Sequence, residues 1–270
     1  MLRTRLLTVI VLTPIVVWLI YLGGLPFLAL IAVLATVAEV EFCLLVASSG
    51  FRPAHLFGIA LVWLFLLDGA VPRWGLLMPS LAVVFCTSLA WQVLEYPRSR
   101  LETWTGVVAS GVYVGLCASF LIRLRELPGD GLWWTLIAVP ASLFADGAAY
   151  VAGSVWGRRK LAPSLSLGKT WEGYAGGIAV GSLMAALLAW VWSHRVGPGS
   201  AVTGFRGLVL GILISTLTPM GDLAVSMIKR EAGVEDSGRL LPGHGGALDR
   251  LDSILWTAVI AYCYATWVVR

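Results

Sequence analysis

The sequence predicts an all-α, polytopic integral membrane protein with about nine transmembrane helices. Three observations carry that prediction. The chain is 59% hydrophobic and 13% charged, against about a quarter charged in soluble domains. Its mean hydropathy is +0.87. Several apolar runs approach the roughly 20 residues a helix needs to cross the hydrocarbon. Their length, and the lack of two-residue alternation, exclude a membrane β-barrel.

In chain order the expected spans are 6–22, 26–47, 55–71, 76–94, 104–122, 132–153, 171–193, 205–228 and 252–269. The first and third are the shortest. Met1 to Arg5 before an apolar run has the outline of a signal peptide. No A-x-A site follows and further spans come directly after, so the run reads as a retained first helix. Residues 1–130 read as a transmembrane scaffold, and 131–270 as the part whose loops carry chemistry. Cys43, Cys86, Cys117 and Cys263 stand alone in apolar segments, which points away from disulfides and zinc.

The net charge is +4, yet nucleic acid is not implied, because the basic residues sit mostly in short loops between apolar runs. With the amino terminus inside, 13 of the 19 lysines and arginines fall in cytoplasmic segments. That bias favours N-in, C-out, against which Arg123 and Arg125 count. The two most polar inside loops run from about 153 to 170 and from about 229 to 251.

Acids within spans are expensive and mark candidate functional sites. Asp222 follows Pro219 and Gly221, which can break or kink the eighth helix. Asp222, Ser226, Lys229 and Arg230 share one helical face. Downstream, Pro242-Gly243-His244-Gly245-Gly246 is a turn whose backbone N–H groups can cradle phosphate. Asp249 and Asp252 then fall three apart at the start of the ninth helix. Carboxylates suit Mg²⁺, which carries substrate phosphates, and Lys and Arg neutralise the remaining charge. Upstream lie Asp146, Arg158, Arg159, Lys160, Lys169, Thr170 and Glu172. Gly168-Lys169-Thr170 is not a P-loop: Pro163 occupies the first glycine position and no strand is expected before it. Gly173, Gly177 and Gly181 form a helix-packing face. Glu39 and Glu41, in the second span, should face the interior, a polar cavity or a basic partner. His55 and His194 read as interfacial.

From Ser226 to Asp252 the sequence resembles the phosphatidate cytidylyltransferases, or CDP-diacylglycerol synthases. Ser226, Lys229, Arg230, Asp236, Pro242, His244, Gly245, Gly246, Asp249, Arg250 and Asp252 match the family signature in order and spacing. Asp146 to Gly177 looks like the family's second motif region. The resemblance implies transfer of CMP from CTP to phosphatidate, giving CDP-diacylglycerol and pyrophosphate. In that frame Asp222, Lys229, Arg230, His244 and Asp249 are the catalytic candidates. Asp146, Lys169, Thr170, Ser226, Asp236, Gly245, Gly246 and Arg250 are the substrate-binding candidates. Asp222, Asp249 and Asp252 would hold Mg²⁺, with a second cation an open question. The expected partners are CTP, a phosphatidate lipid and the bilayer, and by resemblance only a second copy of the chain. The expected location is a bacterial-type inner membrane with the site facing the cytoplasm.

Glu235 replaces the family's usual lysine, and Leu167-Gly168 replaces a Pro-Lys pair. Rival readings are a related enzyme with another lipid acceptor, an inactive homologue and an ion-coupled transporter.

Overall fold

A computed structural model describes residues 13–47, 54–96, 100–197, 199–238 and 246–269. Arg3, Arg5, Arg52, Arg98, Arg239 and Arg270 of the orientation argument lie outside these residues. So do Pro242, Gly243, His244 and Gly245.

The described chain is built of helices: α1 (Thr13–Leu22), α2 (Gly24–Ala47), α3 (His55–Ala70), α4 (Leu77–Leu94), α5 (Leu101–Arg125) and α6 (Gly131–Trp156). After a two-stranded hairpin, β1 (Lys160–Ala162) and β2 (Ser166–Thr170), come α7 (Trp171–Ser193), α8 (Gly204–Leu217), α9 (Pro219–Glu231) and α10 (Leu248–Cys263). A π turn continues α10 from Tyr264 to Val269. Among the described residues, seven helical stretches are long and apolar enough to cross a membrane, taking α8 with α9 and α10 with its π turn. The stretches α1 and α3 are apolar but shorter. The all-α polytopic class therefore holds.

One expectation changes. Residues 160–170 are not simply a loop but an antiparallel hairpin pairing Lys160 with Thr170 and Ala162 with Ser166. A short strand thus does precede Pro163. The P-loop is still excluded, because Gly168-Lys169-Thr170 forms strand β2 and not a phosphate-cradling loop. The break expected near Pro219 is present: the eighth span is two helices, with Thr218 between them. Pro219 has no N–H to continue α8 and sits well at a new helix start.

The chain divides into two compact units, Met1–Arg123 with Ile228–Leu251, and Leu124–Met227 with Asp252–Arg270. Segment 228–251 groups with the amino-terminal part. In the first unit α3 and α5 approach closely at glycine. A Cβ at Gly111 would stand 2.8 Å from the Gly58 carbonyl, and one at Gly115 would stand 2.7 Å from the Val62 Cα. Arg123 pairs with Asp68, so one of the two arginines that count against the orientation is locally neutralised. The second unit packs α6, α7 and α8 around Trp134, Ile137, Ala141, Ala185, Leu210 and Ile214. The expected glycine face is there: a Cβ at Gly173 would meet the Ala149 carbonyl at 2.6 Å, and one at Gly177 the Ala145 carbonyl at 2.9 Å. Small residues let helix backbones approach where lipid supplies no hydrophobic drive.

Candidate functional site

In the second unit the site is built around the break between α8 and α9. Main-chain carbonyls beside the break take side-chain donors: Tyr174 donates to Thr216 O at 2.9 Å, and Lys169 donates to Pro219 O at 3.2 Å. Lys169 also pairs with Asp222 at 2.8 Å. Strand β2 thus delivers a lysine to the first turn of α9, where Asp222 also favours the helix N-terminus. The other Asp222 oxygen accepts from Ser226 at 3.3 Å. Asp252 is buried, accepts from the Ser253 amide at 2.6 Å, and feels the negative charge of Asp222 and Asp146. Asp146, exposed on α6, hydrogen-bonds the Ser253 side chain. Asp146, Lys169, Asp222, Ser226 and Asp252 are therefore brought together, and Ser253 joins them. Gly221 allows this closeness, since a Cβ there would stand 2.5 Å from the Asp252 carbonyl.

Thr170 has a different place. Its buried hydroxyl caps α7, accepting from the Gly173 amide at 3.1 Å. Beside it, the Glu172 carboxylate accepts the backbone amides of Arg158 at 3.0 Å and Arg159 at 3.2 Å. The connection from α6 into the hairpin is thereby fixed, with both arginine side chains exposed.

In the first unit a second constellation forms around Asp249. One of its oxygens pairs with Lys229 at 2.6 Å. The other accepts the Ser237 amide at 3.0 Å, the Ser237 hydroxyl at 2.9 Å and the Gly246 amide at 3.2 Å. Lys229 and Asp249 are both mostly buried, 16% and 13% exposed at the side chain. Removing one partner of such a pair strands the other charge. Arg230, Asp236 and Arg250 are exposed. Among the described residues no group of three His, Cys, Asp or Glu side chains is arranged to hold a metal ion. Each oxygen of Asp222 takes one donor, Lys169 or Ser226, whereas one Asp249 oxygen takes three and the other holds Lys229.

Sequence reasoning missed Ser237 and Ser253, which carry no signal beyond standing next to motif aspartates. It noticed Glu39 and Glu41 without locating them. Glu39 is fully buried in the first unit, accepting from Ser110 at 2.7 Å and Cys43 at 3.3 Å. Glu41 is buried and accepts from Ser237 at 3.0 Å and the Leu248 amide at 2.9 Å. Neither takes part in an ion pair among the described residues.

Membrane helices carrying lysine–aspartate pairs, with the Ser226 to Asp252 signature, define a class of membrane nucleotidyltransferase. The chain belongs to the Cytidylyltransferase family, matching it over residues 3–268. It is similar to curated proteins named phosphatidate cytidylyltransferase. The Bacillus subtilis (strain 168) protein is 30% identical over 264 residues, covering 96% of each chain. The Brucella suis biovar 1 protein is 35% identical over 275 residues, covering 97% of this chain and 93% of the relative. The Mycobacterium tuberculosis H37Rv protein is 36% identical over 170 residues, 63% of this chain and 49% of its own.

Proposed function

We propose that the chain is a phosphatidate cytidylyltransferase, making CDP-diacylglycerol and pyrophosphate from CTP and phosphatidate for phospholipid synthesis. The observation that carries this reading is the gathering of the motif's lysines and acids into the Lys169–Asp222 and Lys229–Asp249 constellations. The names of the full-length relatives support it. The reading includes a bacterial-type inner membrane, N-in, with CTP arriving from the cytoplasm.

The phosphate of phosphatidate is already anionic and needs no strong base. Its oxygen attacks the α-phosphorus of CTP, a new P–O bond forms, the α–β bond breaks and pyrophosphate leaves. The chain's part is to position the two anions and offset their repulsion. Lys169, Lys229 and Arg230 supply fixed positive charge. Ser226 orients Asp222, and Ser253 orients Asp146 and Asp252.

Mg²⁺ belongs to the reading, and the donor set fits it: this ion uses one or two carboxylates and keeps water and phosphate oxygens for the rest. Asp222 and Asp252 would hold it, supported by Asp146. When bound it would screen the polyphosphate and make the α-phosphorus more electrophilic. Asp249, expected as a third ligand, would instead hold Lys229, Ser237 and the Gly246 amide in place.

Purified protein in lipid nanodiscs, given CTP, Mg²⁺ and phosphatidate, should form CDP-diacylglycerol. Asp222→Asn and Asp252→Asn should each lower kcat by about a hundredfold or more. Unchanged turnover in both variants would remove the metal assignment. Product with a different anionic lipid, and none with phosphatidate, would replace the acceptor.

A further inference from the structure

Two carboxylates bind the residues on either side of 239–245. Asp249 takes the Ser237 amide and hydroxyl at one side and the Gly246 amide at the other. Glu41 repeats the arrangement from a different part of the chain. A single oxygen, Oε2, accepts both the Ser237 hydroxyl and the Leu248 amide, partners 196 and 207 residues away in sequence. Both acids therefore bind the two flanks of the segment that carries His244.

The fit around Glu41 is tight. A Cβ on Gly238 would overlap Glu41 Oε1, and a Cβ on Gly246 would overlap both Glu41 Oε2 and the Ser237 hydroxyl. Glu41 is 5% exposed and Ser237 6%. A hydroxyl has one proton, so Glu41 and Asp249 share the Ser237 donor, and the place of each acid depends on the other. The Asp249 oxygen not bound to Ser237 holds Lys229 at 2.6 Å. A continuous chain of contacts, Glu41–Ser237–Asp249–Lys229, thus joins α2 to the phosphate-binding lysine.

We infer that Glu41 is a positioning residue for the cytidylyl-transfer site. It fixes Ser237 and Leu248 and, through Ser237, the Asp249–Lys229 pair, without itself touching substrate. This rests on the function proposed above. Long-range hydrogen bonds to a buried carboxylate suit the task, because groups that must meet a phosphate at a set distance need support from rigid elements.

The test uses the full-length protein in nanodiscs, with steady-state kinetics and amide hydrogen exchange measured together. Glu41→Ala and Ser237→Ala should each lower kcat/KM, Glu41→Ala by about a hundredfold. The double variant should be no worse than Glu41→Ala alone, because both changes cut one chain of contacts. Glu41→Gln keeps an oxygen acceptor and should stay within about tenfold of wild type. Exchange at Leu248 and its neighbours should quicken in Glu41→Ala and not in Glu41→Gln. Additive losses in the double variant would assign Glu41 to general stability and overturn the inference. So would Glu41→Gln as impaired as Glu41→Ala, or Glu41→Ala with wild-type kinetics and exchange. If Glu41→Ala does not fold, Ser237→Ala and Glu41→Gln carry the same comparison. If wild-type protein makes no CDP-lipid, the function fails while the exchange measurement still decides whether Glu41 holds the segment.

Discussion

Lys169 shows how single residues departing from the family pattern are accommodated. The usual cation before Lys169 is missing, since Gly168 stands there. The hairpin brings Lys160 across instead, and its ammonium donates to the Leu167 carbonyl at 2.6 Å. Gly168 itself is open, with nothing within 4 Å of a Cβ. A lysine therefore fits at this position without strain. Gly168→Lys should lower the KM for CTP about two- to fivefold, the range expected of one exposed charge. Steady-state kinetics at varied salt check this, and the gain should shrink as salt rises. A KM unmoved by the added charge would show that β2 does not face the nucleotide. At this scale the sequence was informative about charge and blind to partners. Asp222, Lys229 and Asp249 stood out as ionisable groups beside apolar runs, whereas nothing in the residues showed that Lys169 pairs with Asp222 or that Thr170 spends its hydroxyl on a helix cap.

Elements were legible to within a few residues wherever hydrophobicity alone decides them. The expected 171–193 and 76–94 runs match α7 and α4 almost end for end, because an apolar run in lipid must satisfy its backbone within one helix. Short elements were not legible. The hairpin is only three and five residues per strand, and its polar sequence reads like any loop. It is ordered by contacts remote from its own pattern, among them Glu172 on the Arg158 and Arg159 amides. Glycine spacing was a reliable element-level signal. Gly177 meets the Ala145 carbonyl and the Ala149 Cβ, the latter at 3.1 Å. Gly177→Val should therefore force α6 and α7 apart and cost about 1–3 kcal/mol. Thermal unfolding in detergent should show a lower midpoint than wild type. Gly168→Ala, at an open position, should leave the midpoint unchanged.

For the whole molecule, chain order is a poor guide to grouping. Segment 228–251, far along the chain, forms one compact unit with residues 1–123. The reason is physical: buried Glu41 of α2 needs donors, and its donors lie about two hundred residues onward. One sequence records that Glu41 must be satisfied but not by what. Of the motif's acids, Asp222 and Asp249 are partners of Lys169 and Lys229, while Asp146 and Asp252 meet Ser253.

The crowding at Glu41 also has a genetic meaning. Gly246→Ala places a methyl group where the glutamate oxygen and the Ser237 hydroxyl already stand, and should reduce CDP-lipid formation. Shortening the acid by one methylene withdraws that oxygen. A selection for revertants of Gly246→Ala should therefore return changes at codon 41, with aspartate foremost, and kinetics of the purified double variant should show partial recovery. Revertants confined to residues 228–251 would mean that α2 has no voice in the fit of this segment.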